Sequence, residues 1–420
     1  MTTSIENSWQ RRPLGDVADV ISGYAFKSSE FGDKGIPVIK IKNIRVGSVD
    51  LSDADRVDEK YLSIPERYHI REGDILISLT GSHISQPNSV VGRVARHSPG
   101  LPHCLLNQRG GKVMVKDQRV CDLSFLFYAL SESETVRAIV MKAHGAANQA
   151  NVSPTQVESV EIPLPPLPAQ RRIAVILSAY DELIENIQRR ISILEEMART
   201  VYREWFVHFR FPDHDKQSRV ASPLGDIPKG WEVRKVAEFA DFIRGFEPGS
   251  EAYSKEPALN RIKFLRVGDL SKRDSEIYIQ TELVEGRILE PFDIAITLDG
   301  SVGLVRLGLS GAYSTGIRKL VIRDESRLGW SFAYHLLLSD SIQATIQAHA
   351  KGTTIKHAGS AVAAIEFVSP PAHLIRQFEM STAPMLKLIL IFQNKIENLR
   401  RTRDLLLPRL LSGQINLAEN

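Results

Sequence analysis

Cysteine is almost absent from this 420-residue chain: there are two, Cys104 and Cys121, with no Cys-x-x-Cys and no paired histidine beside them. That argues against a disulfide scaffold or a zinc site, and both thiols are expected as small buried hydrophobes in a reducing compartment. Long apolar runs are also absent. A stretch such as residues 388–392 is far too short to span a bilayer. Residues 1–7 lack the basic start and apolar stretch of a secretion signal, so a soluble, cytoplasmic protein without membrane contact is expected. Nor does one sign of charge dominate, since 53 Lys and Arg against 50 Asp and Glu leave a net charge of +3. The sum alone does not establish a nucleic-acid partner. The local clusters Lys40, Lys42 and Arg45, or Arg261, Lys263 and Arg266, keep one open, and a solvated face explains each equally well.

Residues for catalysis are missing as well. No Asn-Pro-Pro-Tyr or Asp-Pro-Pro-Tyr is present for amino-group methylation, and no Gly-x-x-x-x-Gly-Lys-Ser/Thr for nucleotide phosphates. "GFEPGS" at Gly245 is a poor glycine loop. "PDHDK" at residues 212–216, with His208 nearby, reads as a solvated turn in a linker, and the other histidines lack the i, i+4 spacing of a metal helix. The expectation is a non-catalytic chain without metal or cofactor of its own.

What the chain does have is an internal repeat. "RRPLGDVADVISGYAF" after Trp9 returns as "EVRKVAEFADFIRGFE" after Trp231, an offset of 222, and "DILISLTGS" at Asp74 returns as "DIAITLDGS" at Asp293, offset 219. "VGRV" at Val91 returns as "VGLV" at offset 211, and Pro165-Pro166 as Pro370-Pro371 at offset 205. The offset shrinks where loops tolerate insertions and then stops changing. From Ile173 to Trp205 the two copies align without a gap.

In that fixed stretch Ile173, Leu177, Tyr180, Ile184, Ile187, Ile191, Leu194, Ala198, Val201 and Trp205 alternate spacings of four and three, a heptad seam. The second copy has Phe378, Thr382, Met385, Ile389, Phe392, Ile396, Leu399, Arg403, Leu406 and Leu410, of which eight are apolar. Two long helices pairing antiparallel are expected, and 33 residues make a spacer about 50 Å long at about 1.5 Å per residue. Pro384 is expected to start or kink the second helix and so to shorten it. Off the seam lie Ile176, Leu183, Ile193, Tyr202 and Phe206, with Leu388, Ile391 and Leu407, an apolar row for a further partner unless it packs on the flanking domains.

The rest of each repeat alternates or is β-branched, as in "IPVIKIKNI", "DILISLTG" and "GGKVMVKD", with helical stretches at "SFLFYALSESETVRAIVMKA" and "SFAYHLLLSDSIQATIQAHA". The fold class expected is α+β: two mixed α/β, strand-rich domains separated by two long helices forming an antiparallel coiled coil, with pseudo-twofold internal symmetry. The divisions are 1–165, a first helix over 166–208, a linker and second domain over 209–371, and a second helix and tail over 372–420.

Several motifs occur in order. They are a Gly-x₆-Val-Ser loop over residues 145–153, "IPLPPLPAQRRIA", "YDELIENIQRRISILEEMARTVYREWFVHF", "PLGDIPKGWEV" and "LLLPRLLSGQI". Duplicated around a long helix, the set resembles the specificity subunit of a type I restriction-modification system over almost the whole chain. It departs from the pattern in having "SPPAHLIRQF" in the second copy, where the family favours Glu-Gln after the prolines, and Ala169-Gln170 in the first. The resemblance implies two target-recognition domains, each reading half of a bipartite site in double-stranded DNA, and helices that dock two methyltransferase subunits and set the unread gap. It also implies S-adenosylmethionine on the methyltransferase, and a restriction subunit with nuclease and motor activity that can join. Because the two domains differ in sequence, unlike half-sites are expected. The alternative is a non-catalytic scaffold whose end domains bind other proteins.

Polar and basic loop residues separate these readings, since phosphate and base-edge contacts require them. Besides Lys40, Lys42 and Arg266, the candidates in the first repeat are Ser82, His83, Gln86, Asn88, Arg93, Asn107, Gln108, Arg109 and Lys112. In the second they are Thr315, Arg318, Lys319, Lys351, Thr353, Thr354 and Lys356. Arg93 and Arg318 are favoured because Arg can engage guanine with two hydrogen bonds. Asn107 and Gln108, and likewise Asn148 and Asn151, have a plain alternative role in satisfying turn and cap backbone.

Overall fold

Short, β-branched, fully buried runs make the central strands. "ILIS" at Ile75–Ser78 and "IAIT" at Ile294–Thr297 are buried at every position, which both faces of a covered sheet require. The structure is a computed structural model that describes residues 9–82, 91–146, 149–353 and 356–415. It folds as two units, one made of Met1–Glu185 with Asn398–Asn420, the other of Asn186–Glu397. The borders cut across both long helices, because each half-helix buries its seam in the unit beside it.

In the first unit Ile75–Ser78 pairs with Gly110–Val115, which pairs in turn with Ala18–Ser22. Val94–Arg96 lies on its other side. A second sheet orders Phe31–Gly32, Asp55–Val57, Ile36–Ile39, Cys104–Leu106 and His69–Ile70. The second unit repeats this scheme with Ala240–Arg244, Ile317–Ile322, Ile294–Thr297 and Val305–Arg306 in one sheet, and Tyr278–Gln280, Arg261–Leu265, Gly311–Tyr313 and Ile288–Leu289 in the other. The register repeats too: Val113 sits between Val20 and Ile75, and Leu320 between Phe242 and Ile294. Each unit adds two helices, Leu123–Ser131 with Ser133–Met141, and Trp330–Leu338 with Asp340–Ala348.

The first long helix runs Leu167–Tyr202 and passes into a π-helical turn, Arg203–Val207. The second runs Ala372–Leu411, so the shortening expected from Pro384 does not occur: the helix has 40 residues against 36. Pro384 withholds one N–H from the helix ladder on an exposed face, and the apolar face opposite holds the helix through it. None of the twenty seam positions is exposed. In the first unit Ile173 and Leu177 join one core with Leu410 and Leu411, and Asp181 Oδ1 accepts from Arg403 Nη1 at 2.5 Å while its Oδ2 accepts from the Tyr128 hydroxyl at 2.6 Å. That pair explains a charged residue at a seam position. In the second unit Trp205 and Tyr202 meet Phe378, with ring centroids 6.1 and 6.2 Å away. Low numbers on one helix meet high numbers on the other, so the helices run antiparallel.

Two glutamine or glutamate side chains fasten the helices to their units. Gln170, 1% exposed, accepts from Asp122 N at 2.8 Å and donates to the Val120 and Pro165 carbonyls, at the start of Leu123–Ser131. Glu379 accepts from Ser331 N at 3.0 Å and Phe332 N at 2.8 Å, capping Trp330–Leu338, and burial pushes its carboxyl above the ordinary value. Both cysteines are fully buried, and burial pushes their thiols up to about 12. No helix among the described residues is long and apolar enough to cross a membrane.

Candidate nucleic-acid interface

The basic clusters fold onto carboxylates of their own unit, except Arg261, which donates to the Ser254 hydroxyl and the Glu256 carbonyl. Asn43, fully buried, accepts from Lys40 N at 2.9 Å, and the corresponding Asp269 accepts from Arg266 N at 2.9 Å, so one turn is built twice. Lys40 Nζ lies 2.9 Å from Asp55 and 3.4 Å from the centre of the Phe31 ring. Lys42 reaches Asp55 at 3.4 Å and Asp53 at 3.6 Å. The Lys40 hydrogen bond, against a smaller burial effect, holds the Asp55 carboxyl below its ordinary value. Arg266 pairs with Asp269 at 3.3 Å, Arg45 with Asp50 at 3.5 Å, and Lys263 with Asp274.

Lys112 and Lys319 are an internal fastening, present twice. Lys112 Nζ lies 2.7 Å from Asp74 and donates to the His69 carbonyl at 2.9 Å; Lys319 Nζ lies 2.6 Å from Asp293 and donates to the Ile288 carbonyl at 3.3 Å. The carboxylate also accepts a backbone N–H in each unit, from Arg71 and from Glu290. The two favoured arginines turn inward as well. Arg93 Nη2 donates to the Ile41 carbonyl at 2.9 Å. Arg318, 8% exposed, donates through Nη1 to the carbonyls of Thr315 and Ile317, and its Nη2 lies 3.6 Å from Asp299. Burial lowers the affinity of both guanidinium groups for their protons.

Other candidates stay at the surface. Gln108 and Arg109 are exposed on a turn whose neighbour Asn107 is buried, its backbone N–H donating to Ile39 O at 3.0 Å. The turn is set by a glycine on the facing strand. A Cβ on Gly23 would stand 2.3 Å from Leu106 O and 2.4 Å from Asn107 O, and one on Gly245 would meet Ser314 O and Tyr313 O at 2.3 Å. Only glycine lets the backbones pass that closely. Thr315 is half-buried, and its carbonyl also receives Arg244 Nε at 3.5 Å.

Beside each turn a returning segment is added to the central strand. Val152 N donates to Leu79 O at 2.9 Å and Ala358 N to Leu298 O at 2.7 Å. Across the first of these junctions Thr80 Oγ1 donates to Asn151 Oδ1 at 2.8 Å; across the second His357 Nδ1 donates to Asp299 Oδ1 at 2.8 Å. Lys351, Thr353 and Lys356 are exposed there, whereas Ser82 is 2% exposed. His83, Gln86, Asn88, Asn148 and Thr354 lie outside the described residues. Sequence reasoning missed His357, Asp299 and Arg244; the signal for Asp299 was a carboxylate in "DIAITLDGS" where the other copy has the hydroxyl of Thr80.

Of the apolar row expected for a further partner, Leu183, Ile193, Leu388 and Ile391 are 40, 54, 38 and 61% exposed. Tyr202 and Phe206 are a correction. They are core residues of the second unit, 6 and 7% exposed, with Phe206 5.0 Å from Phe378 and 4.7 Å from Phe332, because the helix end is wrapped by aromatic side chains. Leu407, likewise, is half-buried against the first unit's core, as is Ile176. Among the described residues no group of three or more His, Cys, Asp or Glu is placed to hold a metal.

Residues 6–196 match the family described as type I restriction modification DNA specificity domain. The chain is 26% identical to the type I restriction enzyme MjaIX specificity subunit of Methanocaldococcus jannaschii, over 99% of this chain and 95% of the relative. It is 30% identical to a putative MjaX specificity subunit of the same organism, over 60% of this chain and 58% of that one. A crystal structure of a type I restriction-modification system S subunit from M. genitalium has the same fold, with TM-score 0.62 at 18% identity and 98% of each chain covered.

Proposed function

We propose that this chain, which belongs to the type I restriction-modification specificity subunits, reads a split DNA sequence through its two units, each unit recognising one half. The protein is a DNA sequence-recognition subunit and not itself an enzyme. The observation that carries the two-half reading is the duplicated fold with unlike loops. Strand register and the lysine–aspartate fastening recur, while the loop side chains differ: Gln108 and Arg109 stand exposed on a turn whose counterpart carries Thr315 and Gly316. One framework bearing two sets of donors suits two half-sites of different sequence.

The helices are the docking surface for two methyltransferase subunits, to which Leu183, Ile193, Leu388 and Ile391 offer apolar contact. S-adenosylmethionine belongs on those subunits, a restriction subunit can join them, and the assembly works in the cytoplasm, where its DNA lies. A scaffold binding only proteins is not favoured. Co-expression with the neighbouring methyltransferase, followed by mapping of methylated adenines, should return a motif of two dissimilar halves around an unread gap. A continuous palindrome would contradict the proposal.

A further inference from the structure

Asp299 holds two groups at once. Its Oδ1 accepts from His357 Nδ1 at 2.8 Å, and its Oδ2 lies 3.6 Å from Arg318 Nη2. Asp299 and Arg318 are nearly enclosed, their side chains 15 and 10% exposed, whereas that of His357 is 63% exposed. Backbone bonds fix the same place from both sides: Gly300 N donates to Lys356 O at 2.8 Å, Ala358 N to Leu298 O at 2.7 Å, and Lys351 and His357 exchange N–H and C=O at 3.0 and 2.8 Å. The ring is therefore not a loose surface histidine. It is mounted on an ionic base, and the exposed ammonium groups of Lys351 and Lys356 stand on the same returning segment. In the first unit the corresponding junction is the uncharged Thr80–Asn151 bond, which holds the strands together without presenting a ring.

A carboxylate only accepts, so the proton on the imidazole nitrogen facing Asp299 is on Nδ1, and Nε2 is the ring nitrogen left for a ligand. We infer that His357 reads a base edge in the second unit's half-site, with Asp299 as the positioning residue that sets its ring orientation and tautomer. This rests on the DNA-reading function proposed above. In the neutral ring with its proton on Nδ1, Nε2 accepts, which in the major groove matches the exocyclic amino group of adenine or cytosine. Lys351 and Lys356 supply the sequence-independent attraction to phosphate that brings the ring to the groove.

The test uses the full chain co-expressed with its methyltransferase, on a library of DNA sites randomised in both halves. His357→Ala should flatten base preference at one position of the second half by about tenfold, leaving the first half and the gap unchanged. Asp299→Ala should flatten the same position, and Asp299→Ala with His357→Ala should be no worse there than His357→Ala alone, since the carboxylate acts through the ring. Asp299→Asn, which keeps an acceptor for Nδ1–H, should retain more preference than Asp299→Ala. His357 is exposed enough to be truncated without opening the core, so its variant reports even if Asp299→Ala unfolds. An unchanged motif with His357→Ala, or equal loss in both halves, would overturn the inference. A wild-type motif that is not split would instead overturn the function on which it rests.

Discussion

Lys112 and Arg109 are three residues apart and have opposite duties. Lys112 is closed over by Asp74 and the His69 carbonyl, and Arg109 stands exposed on its turn. Lys112→Met should cost about 1–3 kcal/mol of stability by leaving a half-buried carboxylate unpaired, read as a lower unfolding midpoint in urea. Lys319→Met should do the same in the second unit, where Asp293 is left. Arg109→Ala should leave the midpoint alone and reduce the salt dependence of DNA binding by about one phosphate contact. The sequence could not separate these residues: a lysine in "GGKVMV" and an arginine in "NQRGG" are equally basic, and only the register that sets Lys112 opposite Leu76, beside Asp74, distinguishes them. The same blindness made Arg93 and Arg318 look like readers of guanine. Arg93 Nη2 is taken by the Ile41 carbonyl, far back in the chain, and Arg318 is turned inward to the Thr315 carbonyl and Asp299, an orientation that composition does not reveal.

Among the secondary-structure elements, the long helices were the most legible, because ten seam positions at fixed spacing leave little choice of burial. What escaped was the capture of the helix ends. Tyr202 and Phe206 sit off the seam by spacing, yet become core because Phe332, Phe378 and Trp231 come from distant parts of the chain to cover them. Glu379 shows another such long-range tie, and it titrates. Its folded-state pKa is raised above the ordinary 4.5 by burial, so the folded second unit holds this proton more tightly than the unfolded chain does. Its contribution to stability is therefore largest at acid pH and falls as pH rises from the ordinary carboxylate range through the raised value. Glu379→Gln removes that titration and keeps an acceptor for the helix N-terminus. The stability of wild type relative to Glu379→Gln should decline from pH 4 towards pH 7 in urea unfolding, and a constant difference would show that the carboxyl is not perturbed.

Across the whole molecule, repetition was readable because the two copies retain matching blocks at slowly drifting offsets, and the structure returns those blocks as four corresponding strands in each of the two main sheets, the first unit adding edge strands of its own. The division into units was not. Sequence places both helices in segments of their own, while the structure gives each unit half of each helix. If the helices set the gap between half-sites, deleting one heptad from both keeps the seam in phase and should shorten the unread stretch without altering either half. Methylation mapping reads the result directly, and a gap of unchanged length would exclude the helices as its determinant.

Trp9 donates its indole N–H to the Leu410 carbonyl at 3.0 Å, and Leu410 and Leu411 complete the core that contains Ile173 and Leu177. The first unit is thus finished by residues synthesised after the whole of the second unit. On the ribosome it must wait while all of residues 186–397 are made, about 10–40 s at about 5–20 residues per second, with the apolar side of its emerging helix uncovered. A nascent chain in that condition is a natural client for a chaperone, and translation that stalls before Asn398 yields a polypeptide whose first unit lacks Leu410 and Leu411 from its core.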